Sequence, residues 1–303
     1  MLFPKKPYLL LIYIFAKTAP RWWQLFQNKV VSICLYYLWG AKQRVLHTNT
    51  AHVMGLSEDD PQVKKTVIQL FRNYGLYLRD YVLIHDLNKE NYKETVASEI
   101  GTEYIEKALA DGNGAILITP HLGNWELGGV TFALRGCPIH ALTLKDNEDV
   151  VQDYRDEVRG SLGIKTLHVD PNDHGTILKM ARLLKDNQVI AMLGDRLVGG
   201  KKSEVTFFDR KVYFPSGAFA LAQATGAPII PVFITLREDN KYEAWMEKPI
   251  MVQREAGISN DELIANKTQE LATVFEKNIR KHPDQWYQFF DYWSTYSSEN
   301  TPT

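Results

Sequence analysis

With 303 residues and 45% hydrophobic side chains the chain can bury a substantial core, which excludes disorder as a global description. Its 35 basic and 36 acidic residues leave a formal net charge of −1, so there is no overall field to attract nucleic acid, and no zinc-finger or RNA-binding signature occurs. Cys34 and Cys137 lie far apart without metal spacing, which argues against a disulfide scaffold or a zinc site and for a reducing compartment.

The amino terminus carries two short apolar runs, residues 8–16 and 30–39. Lys5 and Lys6 precede the first, Lys17 and Arg21 follow it, and Trp22 and Trp23 stand between the two. Both runs fall short of the roughly 20 residues that span a bilayer. No small-residue cleavage site follows the first, as a signal peptide would require. Cations and tryptophans around short apolar stretches predict a helical segment over residues 1–50 lying in the headgroup region. The competing expectation is a helix packed on the protein's own core. Residues 61–84 place Val63, Val67, Leu70, Phe71, Tyr74, Leu78 and Tyr81 on one helical stripe, read as packing.

From Gly114 onward, strand-like and helix-like segments alternate. Strands are expected at 114–119, 138–143, 165–169, 188–193, 204–208, 228–234 and 241–247, and helices at 124–135, 148–160, 174–186, 216–226 and 259–281. Such alternation predicts an α/β sheet with helices on its faces, forming one domain over residues 51–303.

The first of these strands ends in Thr119-Pro120-His121-Leu122-Gly123-Asn124-Trp125-Glu126. Asn124 reads as an N-cap, so His121 sits in the loop at a strand's carboxyl end and Glu126 in the first turn of the next helix. That is where open α/β sheets place active sites, and an imidazole with a carboxylate to orient it is a general base. A surface cluster or a helix cap would use the same two residues. Asp195-Arg196 closes another apolar run and is expected either as a surface ion pair or as a group that binds an anionic substrate on the same sheet edge. Ser216, before Gly217, is read as a helix cap whose neighbouring amides could meet a phosphate or carboxylate. Arg159 ends a helix rich in charge, on which Arg155 is assigned to a solvated face. There is no Gly-x-Ser-x-Gly elbow, no Walker A loop and no dinucleotide fingerprint. His121 and Glu126 are too few for a metal site, and His140, His168 and His174 lack ligand spacing with them.

These blocks, in this order, resemble the bacterial lysophospholipid acyltransferase superfamily, and within it the late lipid A (lauroyl and myristoyl) acyltransferase branch that includes phosphatidylinositol mannoside acyltransferases. The resemblance covers roughly residues 1–293. It rests on His121-Leu122-Gly123-Asn124-Trp125-Glu126, similar to the branch's catalytic His-x-x-x-x-Asp/Glu, and on Phe207-Phe208-Asp209 with Phe214-Pro215-Ser216-Gly217. The terminal His282-Pro283-Asp284-Gln285-Trp286-Tyr287 completes it. Gly194-Asp195-Arg196 departs from the Asp-Gln-Asp/Glu of lipid A enzymes.

The resemblance implies a mixed, mostly parallel sheet flanked by helices, of glycerolipid acyltransferase type. It implies transfer of a fatty acyl chain from an acyl-carrier protein or acyl-CoA thioester to a hydroxyl of a lipid or glycolipid, with lipid A-type secondary acylation foremost. His121 would act as base and Glu126 would hold it. Asn124, Arg159, Asp195, Arg196, Ser216 and Gly217 are the expected substrate-binding residues. No cofactor or metal is called for beyond the thioester co-substrate. The expected location is the cytoplasmic face of a bacterial inner membrane. A thioesterase using water as acceptor, and a non-enzymatic lipid or acyl-carrier binding protein, are the alternatives.

Overall fold

A computed structural model describes residues 7–144, 150–169, 174–197 and 199–298. Lys5, Lys6 and the first two positions of the helix expected from 148 lie outside the described residues. Four helices come first: α1 (Pro7–Thr18), α2 (Arg21–Leu38), α3 (Gly40–Met54) and α4 (Pro61–Leu83). The start of α4 is written locally. Asp60 accepts a hydrogen bond from the Gln62 amide at 2.7 Å, and Pro61 occupies the first helical position, where no amide hydrogen is needed. The chain then continues through α5 (Tyr92–Thr95), β1 (Val96–Ile100), α6 (Glu103–Ala110), β2 (Ala115–Thr119), α7 (Trp125–Leu134), β3 (Ile139–Leu144), α8 (Val150–Ser161), β4 (Lys165–Val169), α9 (His174–Lys185) and β5 (Val189–Leu193). Beyond them lie β6 (Lys202–Phe207), β7 (Arg210–Pro215), α10 (Gly217–Thr225), β8 (Ile229–Leu236), β9 (Tyr242–Met246), α11 (Asn260–Lys281) and α12 (Tyr292–Tyr296).

The described residues form a seven-stranded sheet in the order β1-β9-β8-β2-β5-β3-β4. β8 and β9 run antiparallel, and the other neighbours are parallel. This is the mixed, mostly parallel sheet expected. β2 lies between β8 and β5, and its alternate residues go to opposite faces. Ile116 and Ile118 join the core beneath α10 and α11, with Phe219, Leu271 and Phe275. Ala115 and Leu117 join the core beneath α6 and α7, with Ile105, Leu127 and Val130. A strand buried on both faces reads as a continuous apolar run, which is what made Ala115–Thr119 conspicuous.

The seven expected strands and the helices from 61 onward are present. The sequence pattern missed β1, an edge strand with polar positions, and β7. The latter forms a separate hairpin with β6 through Phe208 and Asp209, both at positive φ (51° and 60°). A two-residue hairpin turn with positive φ at both central positions normally advertises itself with Asn-Gly or Asp-Gly, and this one does not.

The third core joins the amino-terminal helices to the chain's far end: Tyr36, Leu46, Val63, Val67 and Leu70 pack with Tyr287. Residue 50, the expected division between two parts, falls inside α3. No helix of the described residues is long and apolar enough to cross a membrane. On α1 and α2 the large side chains of Leu11, Trp22, Phe26, Tyr37 and Leu38 are exposed, at 55% or more.

Candidate active site

β2 ends at Thr119, and β5 beside it ends at Leu193, directly opposite in register. The Gly194 amide donates to the Thr119 carbonyl at 2.9 Å, extending the pairing by one step. Two loops therefore leave the same sheet edge side by side, one bearing His121 and the other Asp195. The His121 Nδ1–H donates to Asp195 Oδ1 at 2.6 Å, and the His121 backbone amide donates to Oδ2 at 2.9 Å. A carboxylate can only accept, so the hydrogen is assigned to Nδ1, which makes Nε2 the basic ring atom.

The loop between β2 and α7 is tightly held. Gly123 has φ +64°, and its amide donates to the Gln285 carbonyl at 2.9 Å. A Cβ at this position would sit 1.9 Å from the Ile234 carbonyl oxygen, so no side chain fits. Asn124 is fully buried, and its Oδ1 accepts from the Leu127 amide at 3.1 Å, the cap read from the sequence. The indole of Trp125 stands edge-on to the His121 imidazole, centroids 5.2 Å apart.

Asp195 is wholly buried, and three further donors point at it or its peptide. Trp286 Nε1 and Gln288 Nε2 donate to Oδ2 at 3.0 and 2.7 Å, and the Tyr292 hydroxyl donates to the Asp195 carbonyl at 2.8 Å. Burial by itself would push the Asp195 carboxyl up. The charge and hydrogen bonds of His121, with Arg196 nearby, outweigh it and hold the group below the usual carboxylate range. Burial, with Asp195 adding to it, raises the Tyr292 phenol well above its ordinary value, so it stays a donor.

Glu126 sits elsewhere. In the first turn of α7 it receives a two-pronged guanidinium from α8, with Arg159 Nε to Oε2 at 3.0 Å and Nη2 to Oε1 at 2.7 Å. Arg159 Nη1 also donates to the Thr143 hydroxyl at 2.7 Å, tying α7, α8 and β3 together. The expected contact between His121 and Glu126 is thus replaced by two separate pairs, His121 with Asp195 and Glu126 with Arg159. Helix geometry is the reason. The turn at Asn124 aims the second helical position across the seam toward α8, while strand pairing brings residue 195 to residue 121. Arg155, assigned to solvent, is instead half-buried, with Nε 3.8 Å from Glu126 Oε1.

Arg196 was expected to meet substrate, but its guanidinium is engaged internally. Nε donates to Gln288 Oε1 and Nη2 to the Tyr287 carbonyl, both at 2.8 Å, and the group lies over the Phe290 ring at 5.0 Å. Ser216 and Gly217 open α10 behind the β6–β7 hairpin. The Ser216 side chain makes no capping hydrogen bond, and among the described residues no hydrogen bond brings either residue to His121. Of the donors around Asp195, only Trp286 falls within the resemblance block 282–287, which carried no role; Gln288 and Tyr292 lie beyond it. The signal of segment 285–292 was a run of amide and aromatic side chains with neither helical nor strand period. An apolar cleft runs under α7, lined among others by Leu117, Thr119, Trp125, Gly128, Gly129 and Ile139, with Glu126 and Arg159 also in its wall. Two glycines in mid-helix leave that space open at a cost of about 1 kcal/mol each relative to alanine.

A buried carboxylate, an oriented imidazole and an adjoining apolar cleft suit the removal of a proton from a hydroxyl beside a long hydrocarbon. The comparisons agree with that class. The profile of the family described as bacterial lipid A biosynthesis acyltransferase matches residues 8–295. The phosphatidylinositol mannoside acyltransferase of Mycobacterium tuberculosis is 25% identical over 262 residues, covering 84% of this chain and 78% of that protein. The phosphatidylinositol mannoside acyltransferase of Mycolicibacterium smegmatis is 27% identical over 249 residues, with 82% and 78% covered. The chain belongs to the lipid A biosynthesis acyltransferase family and is an acyltransferase acting on a lipid or glycolipid acceptor.

Proposed function

We propose that the protein transfers a fatty acyl chain from a thioester, carried by an acyl-carrier protein or coenzyme A, to a sugar hydroxyl of a membrane glycolipid. His121 is the catalytic base: Nε2 takes the acceptor hydroxyl's proton as the oxygen attacks the thioester carbonyl, and returns it to the departing thiolate. Asp195 holds the imidazole in the required tautomer and stabilises the imidazolium, a division of labour known from hydrolase triads. The observation that carries this reading is the 2.6 Å contact between His121 Nδ1 and the wholly buried Asp195. The nucleophile is the substrate's own hydroxyl, so no enzyme serine or cysteine is required. The acyl chain lies in the apolar cleft under α7. Glu126 and Arg159 act on the site by fixing α7 against α8 rather than by touching His121.

The family profile and the two relatives are named for different acceptors, lipid A and phosphatidylinositol mannoside. Both are sugar-bearing lipids, which is why the acceptor is drawn at that level. The proposed location is the cytoplasmic face of a bacterial inner membrane, with α2 in the headgroup layer; exposed Trp22, Trp23 and Phe26, with Arg21 and Lys29 on the same helix, support contact with a lipid surface.

The test is an acyl-transfer assay with acyl-carrier protein and coenzyme A thioesters against lipid A precursors and mannosylated phosphoinositides, read by mass spectrometry and run with His121→Ala alongside. Loss of the base should lower transfer by about 10²–10⁴ in a folded variant. A His121→Ala protein that transfers at near wild-type rate overturns the assignment of the base. Thioester release that proceeds equally without any glycolipid would make the protein a hydrolase. Co-sedimentation with anionic vesicles tests the surface. A Trp22→Ser/Phe26→Ser variant that binds as tightly as wild type would remove α2 from the membrane.

A further inference from the structure

We propose that Trp286, Gln288 and Arg196 are positioning residues for acyl transfer, forming a short relay in which Arg196 orients the Gln288 amide, and Gln288 and Trp286 together lock the Asp195 carboxylate onto His121 Nδ1. The proposal rests on His121 acting as the base. Trp286 and Gln288 are buried and the Arg196 guanidinium is engaged by Gln288 and the Tyr287 carbonyl, which moves Arg196 from substrate binding to architecture.

The geometry is directional at every step. Gln288 is fully buried, and an amide can be rotated end for end with little change in shape. Arg196 Nε, a pure donor, sits 2.8 Å from one end of that amide, which must therefore be the oxygen. The nitrogen is then forced toward Asp195 Oδ2, at 2.7 Å. Trp286 Nε1–H, another pure donor, meets the same oxygen at 3.0 Å, and the His121 amide meets it at 2.9 Å. With Oδ2 occupied by three donors, Oδ1 is left to the imidazole alone. The carboxylate cannot rotate without breaking all of these bonds. The guanidinium has a second anchor, the Tyr287 carbonyl at 2.8 Å, so it holds its orientation without help from a ligand. The titratable and charged groups that face Asp195 are His121 from the loop after β2, Arg196 beside it, and Tyr292 and Tyr296 from α12. The tyrosines are neutral donors or bystanders in the working pH range, so His121 and Arg196 are the charges that act on Asp195, and the neutral donors of Trp286 and Gln288 fix how its carboxylate is turned. This gives the 285–288 segment a chemical reason to be clamped to the His121 loop by the Gly123-to-Gln285 and Tyr287-to-His121 backbone bonds, each 2.9 Å.

Two near-isosteric variants test the relay. Trp286→Phe keeps the ring packing and removes one donor. Gln288→Glu keeps the shape and the partner for Arg196 but turns a second acceptor toward Asp195. A hydrogen bond to a buried charge predicts that kcat falls about tenfold or more in each, with KM changed less than twofold and the acid limb of the kcat–pH profile moved to higher pH. The nitrogen-15 spectrum of the free protein should show His121 losing its single Nδ1–H form. Folded variants that keep wild-type kcat, acid limb and imidazole spectrum overturn the proposal, because filling space is then all these side chains do. The spectrum needs no substrate. If His121→Ala proves active, the base assignment fails, while a changed imidazole spectrum in Trp286→Phe would still show that the relay holds the tautomer.

Discussion

Two carboxylates lie within one turn of chain and sheet from His121, and they are handled in opposite ways. Asp195, at the carboxyl edge of the sheet, is wholly buried against a histidine that can give up its proton, with neutral donors completing its shell. Glu126, in the seam between α7 and α8, is buried against a guanidinium that cannot. A carboxylate locked to a permanent cation is a strut. One that faces a titrating ring can move charge with the reaction. The partner, rather than the burial or the spacing from His121, separates the two.

Substitutions at the two sites distinguish a strut from a carboxylate that works with the base. The largest effect is expected at Asp195→Asn. The asparagine oxygen keeps the donors at the Oδ2 position, so its NH₂ faces Nδ1 and drives the hydrogen onto Nε2, the wrong tautomer for a base. Transfer should fall by about 10³–10⁴, as in a triad that has lost its acid, with the fold retained. If Glu126→Gln lowers kcat as far as Asp195→Asn does, the roles drawn here are reversed. Next comes Arg159→Met, which leaves Glu126 buried without its cation. Urea unfolding should show a loss of about 3–5 kcal/mol, and a Glu126→Leu/Arg159→Leu double variant should recover much of it. A loss below about 1 kcal/mol would remove the strut.

The third effect is in pH. The Asp195 carboxyl is held below its ordinary range in the folded protein, so the unfolded chain takes up the proton first as pH falls. Its contribution to stability is complete above the unfolded carboxyl pKa of about 3.9 and is lost as pH drops through the lower folded value. The stability gap between wild type and Asp195→Asn should therefore close as pH falls below about 4. A gap that stays fully open on acidification from about pH 4 to about pH 2 contradicts the assigned shift.

Much of the scaffold was legible because its signals are local. β2 and β5 are unbroken apolar runs, α7 opens with an asparagine cap, and the loop bearing His121 follows a strand. The pairing of His121 with Asp195 was not legible, since the partners are 74 residues apart and meet only because β2 and β5 are neighbours. Strand adjacency is a property of the whole sheet, and no window of sequence contains it. Glu126 was favoured by proximity along the chain, yet the helix that begins at Asn124 carries it toward Arg159. The donors at 286 and 288 escaped for a different reason. They lie in irregular backbone, where side-chain direction follows no period.

α7 is bracketed by two glycines with left-handed backbone, and their surroundings give them different genetic fates. At Gly123 a carbonyl oxygen would overlap any added carbon, whereas at Gly136, φ +85°, nothing lies within 4 Å of one. Any missense change in a glycine codon brings in a side chain. Saturation mutagenesis scored by growth or product should therefore return glycine alone at 123, while asparagine and aspartate, which tolerate this backbone region, survive at 136. A side chain tolerated at 123 in this chain would mean that the loop from β2 to α7 can leave the path that now presses it against Ile234.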